Sequence, residues 1–154
     1  MTEKLVILGE MNPQSSDPAH ALWTRPAGCA GHRLWQMATA RTGVTEEEWL
    51  EMTDRRNLCV GSWDSETATD EAVRIAPELA SRTVLILGAL VASEFRRIAD
   101  APHPVNQIMW WEARDWVAIP HPSGLNRLYN NQVTKASVEI LLADLIHMHR
   151  GDAS

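Results

Sequence analysis

The stretch Leu5-Val6-Ile7-Leu8-Gly9 decides the fold class, because it is a short apolar run of branched side chains that a glycine closes. Runs of this kind are typical of strands that are buried on both faces of a parallel sheet. Together with three similar runs, it predicts a short, mostly parallel four-stranded sheet. The other runs, each closed by glycine or proline, cover residues 57–60, which is the weakest of them, 83–87 and 116–119.

Helix-like patterns lie between these runs. Thr45 and Glu48 form a capping-box pair that predicts the start of a helix. Residues 138–145 repeat apolar side chains at three- and four-residue spacing, which predicts a helical stripe facing the core. Two more helices are predicted over residues 34–41 and 89–98. Strands that alternate with helices favour a three-layer α/β/α domain, and we expect residues 1–154 to form this one domain.

The composition excludes several classes of protein. The 154 residues are 45% hydrophobic and 22% charged, which is enough apolar material for one core without covalent staples. Twenty acidic residues against 14 basic ones give a net charge of −6, which excludes a basic, chromatin-type binder. Any contact with nucleic acid must then come from a local patch. No run approaches the ~18 apolar residues that span a bilayer, so we expect a cytoplasmic protein with no membrane partner.

The residues that usually bind metals are sparse. Cys29 and Cys59 are too few for a four-cysteine zinc or iron–sulfur site. A single disulfide stays open, although free thiols in a reducing compartment are the favoured interpretation. His20, His32 and His103 lack a second ligand at a suitable spacing. We therefore expect no metal and no other cofactor.

Polar residues follow the predicted strands, at the points where the strands end. Ligands bind beyond the carboxyl ends of the strands in such sheets, so these residues are candidates for one common site. Each of them alone has an ordinary structural explanation, because Asn-Pro and His-Pro-Ser-Gly sequences form turns and most tryptophans are largely buried. Their joint placement is more specific. The set comprises Asn12, Trp23, Asn57, His121, Ser123 and Arg127.

Two motifs resemble those of the uracil-DNA glycosylase superfamily, especially its mismatch-specific/thymine and single-strand-selective branches. The segment Gly9-Glu10-Met11-Asn12-Pro13 resembles the first family motif, in which Asn or Asp precedes Pro and positions the hydrolytic water. The segment His-Pro-Ser-Gly-Leu-Asn-Arg at 121–127 resembles the second, in which a short wedge loop follows His/Asn-Pro-Ser. The resemblance spans roughly the whole chain, with weaker matches at Trp23, Asn57-Leu58-Cys59 and Arg33-Leu34-Trp35.

This resemblance implies a monomeric DNA glycosylase that hydrolyses the N-glycosidic bond of uracil or a related modified pyrimidine in single-stranded or mispaired DNA. It implies that Asn12 orients a water molecule and that His121 donates a hydrogen bond to the base. Base binding is implied for Met11, Trp23 and Asn57. Contacts with DNA are implied for Pro13, Ser123, Gly124, Leu125 and Arg127.

The residue types suit this chemistry. Cleavage of the bond puts positive charge on the sugar and negative charge on the departing base, so it needs a positioned water, hydrogen-bond donors and a dry pocket. Asn57 carries a donor and an acceptor that match the N3–H and O4 edge of uracil, whereas the amine of cytosine would leave clashing donors. Trp23 would stack on an extruded base, and Leu125 would fill the vacated stack.

Departures from the family motifs leave other functions open. One residue more than usual separates Asn12 from the preceding glycine, Gln14 replaces a second glycine, and Trp23 is larger than the usual stacking Phe. Glu10 and Asp17 are each either a carboxylate base or an ordinary solvated loop charge. The acidic composition leaves open an N-glycosidase that acts on free nucleosides or nucleotides. The altered motif leaves open a catalytically inactive module that binds a modified base.

Overall fold

Five strands form one mixed sheet in the structure, a computed structural model that describes residues 3–12, 15, 17–99, 107–111, 114–123 and 126–151. The spatial order of the strands is β2-β1-β3-β5-β4. The first four in this order are parallel to one another, and β4 is antiparallel to β5 at the edge. The strands are β1 (Leu5–Gly9), β2 (Thr53–Asn57), β3 (Val84–Leu87), β4 (Met109–Trp111) and β5 (Trp116–Ile119).

The α/β class and three of the predicted strands are confirmed, but the prediction of four strands is wrong. The fourth predicted run, residues 57–60, begins where β2 ends, and β2 itself has the polar sequence Thr-Asp-Arg-Arg-Asn. Four of its five residues are only half-buried, so this edge strand does not need a continuous apolar run. Beyond β2, the amides of Leu58 and Cys59 still donate to the carbonyls of Gly9 and Glu10. The fifth strand, β4, has only three residues and gave no pattern to detect.

Five α-helices pack on the sheet in the described part of the chain. The predicted cap is confirmed, since the Thr45 hydroxyl accepts a hydrogen bond from the Glu48 amide at 3.1 Å. One helix, which begins after Asp64, was not predicted, because three of the five residues on its buried face are alanines, which give only a weak apolar pattern. The helices are α1 (Ala30–Thr42), α2 (Glu46–Met52), α3 (Ser65–Leu79), α4 (Ala89–Ala99) and α5 (Gln132–Arg150).

The core is divided between the two faces of the sheet. Leu5 and Ile7 point to a cluster that contains residues of α1, α2 and α5, whereas Val6 and Leu8 point to a cluster that contains residues of α3 and α4. Successive strand residues alternate between the faces, so a strand that is apolar throughout supplies both clusters. No helix in the described ranges is long and apolar enough to cross a membrane.

Candidate functional site

A cavity of about 480 Å³ opens at the carboxyl ends of β1 and β5. The segment after β1 contributes Glu10, Met11 and Asn12, and the segment after β5 contributes His121 and Ser123. The loop before α1 adds Trp23 among other residues. The structure therefore brings together five of the residues proposed from the sequence, namely Met11, Asn12, Trp23, His121 and Ser123.

His121 is held against the end of the neighbouring strand. Gly88, which follows β3, has φ +90°, and a Cβ built on it would lie 3.1 Å from the Cβ of His121 and 3.2 Å from its Cδ2. The imidazole thus packs where only glycine leaves room. Its Nδ1 accepts a hydrogen bond from the Ser123 amide at 3.1 Å. In the neutral ring the proton must then be on Nε2, which is left as a donor.

Burial lowers the pKa of His121 below its ordinary value, and the negative charge of Glu10 offsets only part of that shift. The lowered pKa favours the neutral ring near pH 7. Both observations agree, because an Nδ1 that accepts from a backbone amide cannot itself carry a proton. The ring can therefore donate one hydrogen bond from Nε2 without being charged.

The loop that carries His121 is fixed through three consecutive backbone carbonyls. The Tyr129 hydroxyl donates to the carbonyl of Pro120. The side-chain amide of Asn126 donates to the carbonyl of His121 at 2.9 Å. The Arg33 guanidinium donates to the carbonyl of Pro122 at 3.0 Å. None of the three donors was assigned a role from the sequence. Arg33 and Asn126 lie inside the quoted motifs, so they were detectable there, whereas Tyr129 carried no such signal.

Asn12 and Trp23 both depend on the 3₁₀ helix Pro18–His20. The side-chain amide nitrogen of Asn12, Nδ2, donates to the carbonyl of His20 at 3.0 Å. The His20 ring meets the Trp23 ring edge-on, with 5.4 Å between centroids. Gly31 of α1 lets the helix approach the backbone of Trp23, because a Cβ there would collide with the Trp23 carbonyl.

Asn57 is not in the cavity that contains His121. It lines a second cavity of about 520 Å³, and the two cavities share Asn12. The Oδ1 of Asn57 is buried and has no hydrogen-bond partner among the described residues. Leu22, with φ +51°, lies beside it over Gly9 and lines the first cavity instead. A base held in the first cavity would therefore not lie against Asn57.

The two acidic residues of the first loop have different surroundings. Glu10 is half-buried and lines the first cavity with His121. Asp17 is exposed, lines only the second cavity, and caps the 3₁₀ helix by accepting a hydrogen bond from the Ala19 amide at 3.0 Å. The capping role therefore accounts for Asp17. Of the two carboxylates, Glu10 is the one placed to act on a ligand in the first cavity.

The residues proposed for DNA contacts are only partly visible. Ser123 is half-buried in the cavity, and Arg127 is exposed at the start of the 3₁₀ helix Arg127–Asn130, outside the cavity lining. Pro13, Gly124 and Leu125 lie outside the described residues. Within the described ranges, no group of three or more His, Cys, Asp or Glu residues is arranged to hold a metal ion.

The chain matches no protein-family model and no curated protein. The cavity and the residues that line it are therefore the basis of its proposed function.

Proposed function

We propose that this protein is a DNA glycosylase of the uracil-DNA glycosylase superfamily, with that superfamily's three-layer α/β/α organisation. It would hydrolyse the N-glycosidic bond of uracil or a related modified pyrimidine. The observation that carries the proposal is that Asn12, Trp23 and His121, which come from three different segments of the chain, line one cavity of about 480 Å³. That volume falls within the range of roughly 300–1,000 Å³ typical of small-molecule sites.

In this proposal His121 stabilises the departing base. Its Nε2–H donates to the O2 atom of the pyrimidine, where negative charge develops as the bond to the sugar breaks. The Ser123 amide on Nδ1 and the lowered pKa of the ring favour this uncharged donor. One donor aimed at developing negative charge typically lowers a barrier by about 3–4 kcal/mol.

Asn12 and Glu10 divide the work on the nucleophile. The Asn12 amide can orient a water molecule, but an amide is not a base. Glu10 is the only carboxylate among the described residues that line this cavity. We propose that Glu10 accepts the proton of the attacking water, while Asn12 holds that water and Trp23 stacks on the base.

The proposed substrate is single-stranded or mispaired DNA, bound by a monomer without a cofactor. Extruding a base costs least where it is unpaired or mispaired, which suits an acidic chain with few lysines. Ser123 and Arg127 would contact the phosphates beside the extruded nucleotide.

The test is cleavage of oligonucleotides that contain uracil in a single strand or opposite guanine, followed by alkali to reveal abasic sites. We expect abasic product from the wild-type protein and a loss of about 100-fold or more in His121→Ala. His149→Ala is the matched control, because His149 lines a separate cavity with Leu5 and Thr83 near the opposite end of the strands. No product with any pyrimidine lesion at stoichiometric protein would refute the proposal.

A second candidate function is an N-glycosidase for free nucleosides, which the charges of the cavity favour. Its charged lining residues are Glu10 and Arg25, and Arg25 is ion-paired with Glu46 at 3.0 Å. The described lining thus offers no unpaired cation to a phosphate, whereas Glu10 could accept hydrogen bonds from sugar hydroxyls. Release of base from uridine or deoxyuridine, with no measurable binding of oligonucleotides, would favour this candidate.

A further inference from the structure

Arg55 lies behind the loop that forms one wall of the candidate site. It belongs to β2, and its half-buried guanidinium is fixed by two hydrogen bonds. Its Nε donates to the Thr53 hydroxyl at 3.1 Å, and its Nη1 donates to the carbonyl of Ala21 at 3.0 Å. The Thr53 hydroxyl is in turn held by the carbonyl of Trp49 at 2.7 Å. The guanidinium is therefore rigidly positioned beside the segment that leads into Trp23.

The charge of Arg55 is not ion-paired with a carboxylate of the described residues. Arg55 makes no ion pair with any described residue, whereas its neighbour Arg56 is paired with Asp54 at 2.9 Å and with Glu78 at 2.8 Å. Burial lowers the pKa of Arg55, and the more distant charge of Asp54 offsets only part of this shift. A half-buried cation without a close counter-ion is costly unless something else compensates it.

Besides these two hydrogen bonds, the Trp23 ring compensates the charge of Arg55. The guanidinium carbon of Arg55 lies 5.4 Å from the centroid of that ring, within the range of about 6 Å for a cation–π contact. Trp23 lines the first cavity and Arg55 lines the second, so the Trp23 ring adjoins both the Arg55 charge and the candidate site. A ring that stacked on the cavity side of Trp23 would lie in the positive field of Arg55.

We propose that Arg55 is a positioning residue that acts through Trp23 to stabilise the negative charge of the departing base; this inference rests on the proposed glycosylase function. In the reaction, the bond between the sugar C1′ and the base N1 breaks and N1 keeps the electron pair. A water oxygen bonds to C1′ and gives its proton to Glu10, from which the proton passes to the base after departure. Arg55 touches neither the sugar nor the base, and it changes no bond.

The expected size of the effect follows from the distance. A base stacked on the face of Trp23 opposite Arg55 would add about 4.5 Å to the 5.4 Å between Arg55 and the Trp23 centroid. At such a separation and an effective dielectric constant of about 20 or somewhat more, removal of one charge is expected to slow bond breakage about tenfold. The effect should be smaller for a base that already carries negative charge well.

The experiment compares single-turnover excision of uracil and of 5-fluorouracil from the same single-stranded oligonucleotide. Fluorine makes the base a better leaving group without changing its hydrogen-bonding edge. The full-length variants are Arg55→Met, which removes the charge, Arg55→Lys, which keeps it, and Arg56→Met, which removes a charge that is paired with Asp54 and Glu78. The ratio of the two rates within one variant does not depend on the fraction of folded protein.

We expect Arg55→Met to lose about tenfold in the rate of uracil excision and clearly less in the rate of 5-fluorouracil excision. The 5-fluorouracil rate divided by the uracil rate should therefore rise several-fold. Arg55→Lys and Arg56→Met should keep the wild-type ratio within about twofold. An unchanged ratio in Arg55→Met would overturn the inference while the glycosylase function stood, and so would an equal rise in Arg56→Met. A wild-type protein that excises neither base would overturn the proposed function and this inference with it.

Discussion

Replacement of Gly88 by alanine tests whether the position of His121 matters, because this glycine is the surface on which the imidazole rests. Gly88 has φ +90°, in a region that disfavours side chains, and an added Cβ would lie 3.1 Å from the Cβ of His121. Both the backbone and the ring must therefore adjust in Gly88→Ala. The variant carries two costs, backbone strain and crowding of the histidine.

The two costs can be separated with a matched glycine. Gly43 ends α1 with φ +67°, and a Cβ there would meet nothing within 4 Å. Gly43→Ala should therefore lower the free energy of unfolding only by the cost of backbone strain, about 1–2 kcal/mol. Gly88→Ala should cost that amount plus about 1–3 kcal/mol for crowding a packed site. Because complete loss of such a donor costs about 10²–10³ in rate, partial displacement of His121 should lower excision by at least about tenfold.

The assay is urea denaturation of both variants together with single-turnover excision of uracil, measured well below the unfolding midpoint of each. We expect Gly88→Ala to be the less stable of the two and the only one with a lowered rate per folded molecule. Equal losses of stability, or a normal rate in Gly88→Ala, would refute the claim that this contact positions the imidazole.

Three further predictions concern the same region. The pKa of His121 in the folded protein is below its unfolded value of about 6.5, so the unfolded chain binds the extra proton first as pH falls. Thermal stability should therefore drop below pH 6.5 more steeply in the wild type than in His121→Gln. Parallel plots of melting temperature against pH for the two proteins would contradict this. Tyr129→Phe removes the buried donor to the Pro120 carbonyl and should cost about 1–3 kcal/mol in urea denaturation; an unchanged midpoint would show that this bond contributes nothing. Gly31→Ala places a Cβ against the backbone carbonyl of Leu22 and should cost about 3 kcal/mol or more; near-wild-type stability, measured by thermal unfolding, would mean that the loop before α1 yields easily.

The parts of the fold that were predictable are those with a strong local pattern. Buried strands such as β1 need apolar side chains on both faces, so their sequences identify them. The Thr45 cap is equally local, because its hydroxyl and the Glu48 amide are three residues apart. The edge strands β2 and β4 were not predicted. Most of their residues are not fully buried, so these strands do not need a continuous apolar run.

The site was predictable to the extent that it follows strand ends. Met11, Asn12, His121 and Ser123 meet in one cavity because parallel strands deliver their carboxyl ends to the same side of the sheet. Asn57 also follows a strand end, yet it lines the neighbouring cavity. Strand order alone could not predict this, because the loop residues around each strand end, such as Leu22 in the first cavity, decide which cavity a side chain lines.

The sequence by itself determined the α/β class, the buried central strands and the set of polar residues at their carboxyl ends, because each depends on side-chain pattern over a few neighbouring residues. Only the tertiary structure decided which of those residues share a cavity and which nitrogen of His121 carries the proton. It also decided that the Arg55 guanidinium lies over the Trp23 ring. These features depend on distances between segments far apart in the chain. Such distances are set by how helices and loops pack on the sheet, and no local pattern encodes them.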